Sequence, residues 1–336
     1  MWLDIVLIII GVALVLKGAD ALTEGASALA RRMNVSEMVI GLTIVAAGTS
    51  APELFVSLVS ALKGTPDMAV GNVVGSNTMN AMLIVGCAAM VAPMVISRST
   101  VKKDMPFAVG ASVLLMVLSL NSRLGLVDGL VLLAGFVGFM VYTLRGSKNG
   151  AGSAESAAAV SAVSAENALS AESAAAVPAE EGGSAAAPKP WVSALYVVGG
   201  LAALVLGSNL FVDSASSVAL SLGISEAVVG LTVVAGGTSL PELATSVVAA
   251  RKGQSAIAIG NVIGSNVFNI LMILGLTATI SPLQIEGITT LDMAVMLGSI
   301  ALVWFFSRTR YTVERWEGAV LVAGYLAYVS WLIYSL

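Results

Sequence analysis

The sequence predicts an all-α polytopic membrane protein, with ten transmembrane helices forming two inverted five-helix repeats. Three observations predict this class. First, 57% of the 336 residues are hydrophobic and only 11% are charged, whereas a soluble domain carries about 25% charged residues. Second, apolar runs long enough to cross a bilayer recur along nearly the whole chain. They are continuous, which excludes a β-barrel of alternating ~10-residue strands. Third, the chain repeats itself. "GLTIVAAGTSAPELFVSLVSALKGTPDMAVGNVVGSNTMNAMLIVG" starts at Gly41, and "GLTVVAGGTSLPELATSVVAARKGQSAIAIGNVIGSNVFNILMILG" starts at Gly230. The same offset takes Ser36-Glu37 to Ser225-Glu226, and no gap is needed.

The spans follow in order. The first covers 2–30: Asp4 stands where a signal peptide would be positive, and the apolar run from Ile5 to Leu16 continues into further helix, so the segment reads as retained. The second, 37–62, starts at Ser36-Glu37 and contains Pro52 and Glu53. The third, 68–92, holds "GNVVGSNTMN", and spans over 105–120 and 125–144 complete the first half. The second half reads as 191–220, 226–251, 256–280, 290–306 and 315–335. Residues 1–145 are thus the first membrane repeat and 191–336 the second. Residues 146–190 form a flexible linker: rich in Ala, Ser and Glu, without an aromatic residue, closed by Pro188 and Pro190, they lack the apolar mass for a core. Their glutamates, Glu155, Glu166, Glu172, Glu180 and Glu181, fit a solvated tether.

Charge sets the orientation. Arg31, Arg32, Arg98, Lys102, Lys103, Arg145, Lys148, Lys189, Arg251, Lys252, Arg308, Arg310 and Arg315 fall in alternate loops, while the opposite loops hold only Lys63 and Arg123. The positive-inside rule puts both termini outside and the linker in the cytoplasm. Five spans per half then force the repeats to cross the bilayer in opposite senses, the inverted topology of many transporters. The net charge of −4 offers no basic face for nucleic acid, and without His the usual imidazole chemistry is missing. The single Cys87 makes no internal disulfide.

Glu53 and Glu242 are the strongest functional signal. Each sits near mid-membrane without a Lys or Arg nearby in its span, and an intramembrane acid with no basic partner marks a functional site by default. Pro52 and Pro241 precede them. Each Pro removes an N–H and clashes with the carbonyl four residues back, at Gly48 and Gly237. The helices should bend or unwind there, freeing carbonyls around Ala46–Gly48 and Ala235–Gly237. Thr49, Ser50, Thr238 and Ser239 add hydroxyls. In the second motif, Ser76 and Asn80 share a face at i, i+4, as do Ser265 and Asn269, with Asn77 and Asn266 close by. Gly71, Gly75, Gly260 and Gly264 form small-xxx-small pairs that should bring this face against the broken helix of the same half. All these donors are hard oxygens, which select Ca²⁺, Na⁺ or Mg²⁺ over zinc or copper. Ca²⁺ fits best, since Mg²⁺ dehydrates reluctantly.

The paired "GTSxPE" and "GNxxGSN" motifs resemble the alpha repeats of the cation/calcium exchanger superfamily, and the chain most resembles the prokaryotic sodium/calcium exchangers. The resemblance implies ion ligands at Thr49, Ser50, Glu53, Ser76 and Asn80, and at Thr238, Ser239, Glu242, Ser265 and Asn269, with carbonyls near Ala46 and Ala235. It implies exchange of Ca²⁺ for Na⁺ by alternating access across the cytoplasmic (inner) membrane of a prokaryote. The partners are these transported ions and the bilayer, with no cofactor and no protein partner. Asn269 departs from relatives with Asp there, which argues against K⁺ coupling. The alternatives are a Ca²⁺/H⁺ or K⁺-dependent antiporter and a passive cation channel. An intramembrane hydrolase using Ser50 or Ser239 finds no His, no G-x-S-x-G elbow and no Asp pair. Lastly, Gly11, Gly18 and Gly25 recur every seventh residue, echoed by Gly200, Gly207 and Ser214. This stripe fits either a helix pair that slides past its neighbours or close static packing.

Overall fold

Helix propensity and continuous apolar character give long helices, and Pro, Gly and polar clusters end them. The structure, a computed structural model, describes residues 2–148, 190–222 and 235–335. In chain order the helices are α1 (Trp2–Met33), α2 (Glu37–Thr49), α3 (Ala51–Leu62), α4 (Pro66–Val91), α5 (Thr100–Asn121) and α6 (Leu126–Lys148). The second half gives α7 (Pro190–Ser221), α8 (Ala235–Gly237), α9 (Leu240–Arg251), α10 (Ser255–Ile280), α11 (Thr290–Arg310) and α12 (Arg315–Ser335). Among the described residues, eight helices are long and apolar enough to span a membrane, and the bent pair α2–α3 makes a ninth. The remaining expected span, 226–251, is represented by α8 and α9; its residues 226–234, like 149–189 of the expected linker, lie outside the described residues.

The duplication extends into the backbone. Ser122 and Tyr311 both take φ of 56°, and Gly64 and Gly253 take 79° and 73°. Two short ladders, which the sequence reading did not foresee, tie the halves together. Strand β1 (Met94–Val95) pairs antiparallel with β4 (Thr312–Val313), and β2 (Arg123–Leu124) with β3 (Leu283–Gln284). Two-residue strands carry too little alternation to be read from a sequence.

The glycine stripes of α1 and α7 face each other. A Cβ on Gly18 would lie 2.8 Å from the Gly200 carbonyl oxygen, and one on Gly11 would lie 2.8 Å from that of Gly207. The stripes therefore join the two helices at backbone distance, rather than smoothing a surface toward the remaining helices. Gly260 and Gly264 also differ from expectation. They pack against α2 of the other half: a Cβ on Gly260 would meet the Met38 carbonyl oxygen at 2.9 Å, and one on Gly264 would meet that of Leu42 at 2.7 Å. Within its own half, α10 packs along α9 and bonds it through the Asn261 side chain, without these glycines.

The two halves are not packed equally. Helix α9 lies against both α1 and α7, whereas its counterpart α3 has no comparable contact with either. Phe55 on α3 is 75% exposed, while its counterpart Ala244 is half-buried. Lys252, at the end of α9, pairs with the Asp20 carboxylate of α1 at 2.5 Å. Its ammonium also donates to the Asp20 carbonyl at 3.1 Å and to the Thr23 hydroxyl at 3.2 Å.

Candidate functional site

The breaks form where proline dictates. The axes of α2 and α3 differ by 46°, with Ser50 at the joint (φ −82°, ψ 8°) and Pro52 in the first turn of α3. Ser239 holds the matching position (φ −90°, ψ 7°) between α8, which opens with Ala235, and α9, which has Pro241 in its first turn. Proline costs nothing at this helix position, because a first-turn N–H has no helical acceptor. Glu53 and Glu242 thereby fall in the first turns of α3 and α9, where the positive helix end favours a carboxylate. The break does not free the Ala46 carbonyl: it accepts the Ser50 N–H at 3.0 Å and the Thr49 hydroxyl at 3.3 Å. Helix α7 crosses both breaks. A Cβ on Gly48 would come within 2.5 Å of Leu201, and one on Gly237 within 2.0 Å of Val212, so both glycines answer to close approach. Ser208 of α7 donates to the Gly237 carbonyl at 2.6 Å.

The carboxylates are fully buried, and each is met by the opposite half. Ser50 donates to Glu242 Oε1 at 3.0 Å, and Ser239 donates to Glu53 Oε1 at 3.2 Å. The Ser239 hydroxyl also lies 3.3 Å from that of Ser76. Thr49 donates to Asn261 Oδ1 at 3.0 Å, and Asn269 Nδ2 donates to Asn77 Oδ1 at 3.0 Å. Asn77 Nδ2 in turn reaches the Asn266 carbonyl at 3.2 Å. Asn80 begins a π-turn, Asn80–Ile84, and Asn269 lies in another, Phe268–Leu274. Such local widenings of a helix cluster at functional sites.

Sequence reasoning missed Asn72 and Asn261. Asn72 Nδ2 donates to the Glu53 carbonyl at 3.1 Å and to Ser57 at 2.9 Å. Asn261 Nδ2 does the same to the Glu242 carbonyl at 3.4 Å and to Ser246 at 3.0 Å. The signal was present, since Asn72, Ser76 and Asn80 are spaced i, i+4, i+8 on one face.

Six buried oxygens of the expected site have no protein partner: Glu53 Oε2, Glu242 Oε2, Asn80 Oδ1, Asn269 Oδ1, Thr238 Oγ1 and Ser265 Oγ. Neither carboxylate pairs with a Lys or Arg among the described residues. Buried charges and unpaired polar atoms are costly unless something compensates them. A hard cation does so, and Ca²⁺ takes 6–8 oxygens.

Comparison with known proteins agrees with this chemistry. The model of the sodium/calcium exchanger protein family matches residues 3–145 and 192–334. The chain belongs to the sodium/calcium exchanger family. It is 34% identical to the putative antiporter CaxA of Alkalimonas amylolytica, over 98% of both chains. It is 35% identical to the sodium/calcium exchanger MaX1 of Methanosarcina acetivorans, over 98% of this chain and 99% of that one. A solved structure of the sodium-calcium exchanger NCX_Mj, soaked with Na⁺ and Ca²⁺, superposes with a TM-score of 0.80 at 28% identity, covering 98% of each chain. The exchanger family is one of transporters, not enzymes, and this member is a multi-pass helical membrane protein of the ten-helix, inverted-repeat class. As a cation/calcium antiporter it handles its ions as cargo.

Proposed function

We propose that this exchanger moves Ca²⁺ against Na⁺ across the cytoplasmic membrane of a prokaryote, by alternating access at one shared mid-membrane site. The observation that carries the reading is the pair Glu53 and Glu242. They are fully buried, each is bonded by the other half's serine, and each keeps one oxygen without a protein partner. Two carboxylates balance one divalent cation. Thr49, Ser50, Ser76, Asn80, Thr238, Ser239, Ser265 and Asn269 supply neutral oxygens around them, and the Ala235 carbonyl is the backbone oxygen still available to join the set, since that of Ala46 is taken up by Ser50 and Thr49. Na⁺ ions occupy overlapping oxygens, so Ca²⁺ and a full Na⁺ complement exclude each other. Residues 1–145 and 191–336 act as the two repeats, tethered through 146–190.

The unequal packing of α3 and α9 supports alternating access. The cover of α9 by α1 and α7 lies on the Arg251 side of the buried site, and α3, on its Leu62 side, lacks that cover. With the Lys- and Arg-rich loops inside, the uncovered side faces outward, and both termini lie outside. The transition then consists of the α1–α7 pair leaving α9 and covering α3, a rocking of one body around a fixed site.

The test is Ca²⁺ flux in proteoliposomes with Na⁺, K⁺ and pH gradients imposed separately. Uptake driven by the Na⁺ gradient alone supports the reading. Uptake driven only by a pH gradient makes the protein a Ca²⁺/H⁺ antiporter, and uptake without any opposing gradient makes it a channel.

A further inference from the structure

Under the offset that takes Gly41 to Gly230, the hydrogen bonds of the site fall into two classes. Some are made in both halves. Asn72 and Asn261 each hold their own glutamate's carbonyl and the serine one turn on, and Ser50 and Ser239 each hold the opposite glutamate. Others are made once. Thr49 bonds Asn261, but Thr238, whose counterpart bond would reach Asn72, leaves its buried hydroxyl without a partner. Asn269 bonds Asn77, but the counterpart pair, Asn80 Nδ2 and Asn266 Oδ1, stays buried and unpaired.

Both of these one-sided bonds cross between the halves, as does the Ser239–Ser76 contact, whose counterpart hydroxyl on Ser265 is unpaired. The same inequality governs the helices, since α9 is covered and α3 is not. In an inverted repeat, the halves exchange roles when the site changes sides. The bonds made once and the bonds left unmade are therefore each other's images in the two states.

We propose that Asn72, Asn261, Asn77 and Asn266 are positioning residues of an exchanging hydrogen-bond set. Thr49–Asn261 and Asn77–Asn269 hold the state described here. Thr238–Asn72 and Asn80–Asn266 replace them in the opposite state. The exchange conserves the number of bonds, so neither state leaves an excess of orphaned polar groups, and the two remain within thermal reach. The proposal rests on reading Glu53 and Glu242 as the site that changes sides.

The matched variants Asn261→Ala and Asn72→Ala test it. Both lose an equivalent clamp on a glutamate carbonyl, so the difference between them reports the cross-half bond. The apparent affinity at each face scales with the fraction of protein open to it. The readout is the ratio of Ca²⁺ half-saturation concentrations at the two faces, measured with the full chain in sided proteoliposomes. Asn261→Ala should move this ratio about fivefold toward the opposite state, the effect of one neutral hydrogen bond, and Asn72→Ala should move it about as far the other way. Amide hydrogen exchange in detergent gives a second readout that needs no flux. Asn261→Ala should speed exchange over Leu240–Arg251 and slow it over Ala51–Leu62, and Asn72→Ala should do the reverse. Shifts of the same sign, or no shift in either measurement, overturn the proposal. Wild-type flux in Glu53→Gln and Glu242→Gln would instead overturn the site reading, and the exchange measurement would still decide the asparagine set.

Discussion

Glu53 and Glu242 were legible because the acid recurs, and a mid-membrane carboxylate that recurs at a fixed offset is hard to explain as accident. Their serine partners, Ser50 and Ser239, were legible as oxygen donors, but not as crossing to the opposite glutamate. A linear repeat gives residue types and leaves open which half meets which. Asn72 and Asn261 were overlooked because a polar residue beside "GxxxG" reads as part of the glycine packing, although its i, i+4 spacing to Ser76 and Ser265 was in view. Each glutamate should be indispensable. Glu53→Gln or Glu242→Gln leaves a bound divalent cation short of one buried counter-charge, a loss of about 3 kcal/mol or more, or roughly 100-fold in affinity. Ca²⁺ flux should fall to that of empty vesicles while the amount of inserted protein is unchanged. Ser50→Ala and Ser239→Ala each remove one hydroxyl from a carboxylate. Their effects should be smaller, about tenfold on half-saturation, and alike within a few-fold because the two contacts are images of each other.

At the scale of elements, the bend at Pro52, the ten-helix plan and the first turns of α3 and α9 were readable, since proline and hydropathy act locally. The packing partners were not. The stripe of Gly11, Gly18 and Gly25 announced close approach without saying to what, and the structure gives the answer as α7. Gly18→Leu should push α1 off α7, because even a Cβ would stand 2.8 Å from a backbone oxygen that cannot yield. Overpacking of this kind costs about 1–3 kcal/mol, which thermal unfolding in detergent would register as a lower midpoint. Two subtler replacements separate α7's contacts at the breaks. Gly48→Ala presses on the flexible end of Leu201, whereas Gly237→Ala presses on Val212, whose branched side chain has little rotamer freedom. Gly237→Ala should therefore be the more destabilising, and Val212→Ala should rescue it. Equal effects would show that α7 does not rest on the two breaks as described.

At the scale of the molecule, the inverted duplication was legible from self-comparison and charge counting. The inequality of the halves was not, because a repeat in sequence carries no record of which state the fold occupies. One device that adds to this inequality is written in the chain: Lys252 pairs with Asp20, but at the matching place on the other side Lys63 would face Asn209. Lys252→Met should shift the two-face ratio of half-saturation in the same direction as Asn261→Ala. The shift should be no more than about fivefold, because a partly exposed pair contributes little. Raising ionic strength should produce part of the same shift in the wild type and none in the variant, because salt screens exposed charges. The Asp20–Lys252 pair also has a thermodynamic meaning. The steepest Ca²⁺ gradient the protein can sustain is fixed by its coupling ratio and the driving ion gradient, and a contact within the carrier enters neither. What the pair decides is where the unoccupied carrier waits. Under the alternating access proposed above, a one-sided latch makes the exchanger a kinetic rectifier: its resting population is biased toward one face, while the endpoint of transport stays untouched.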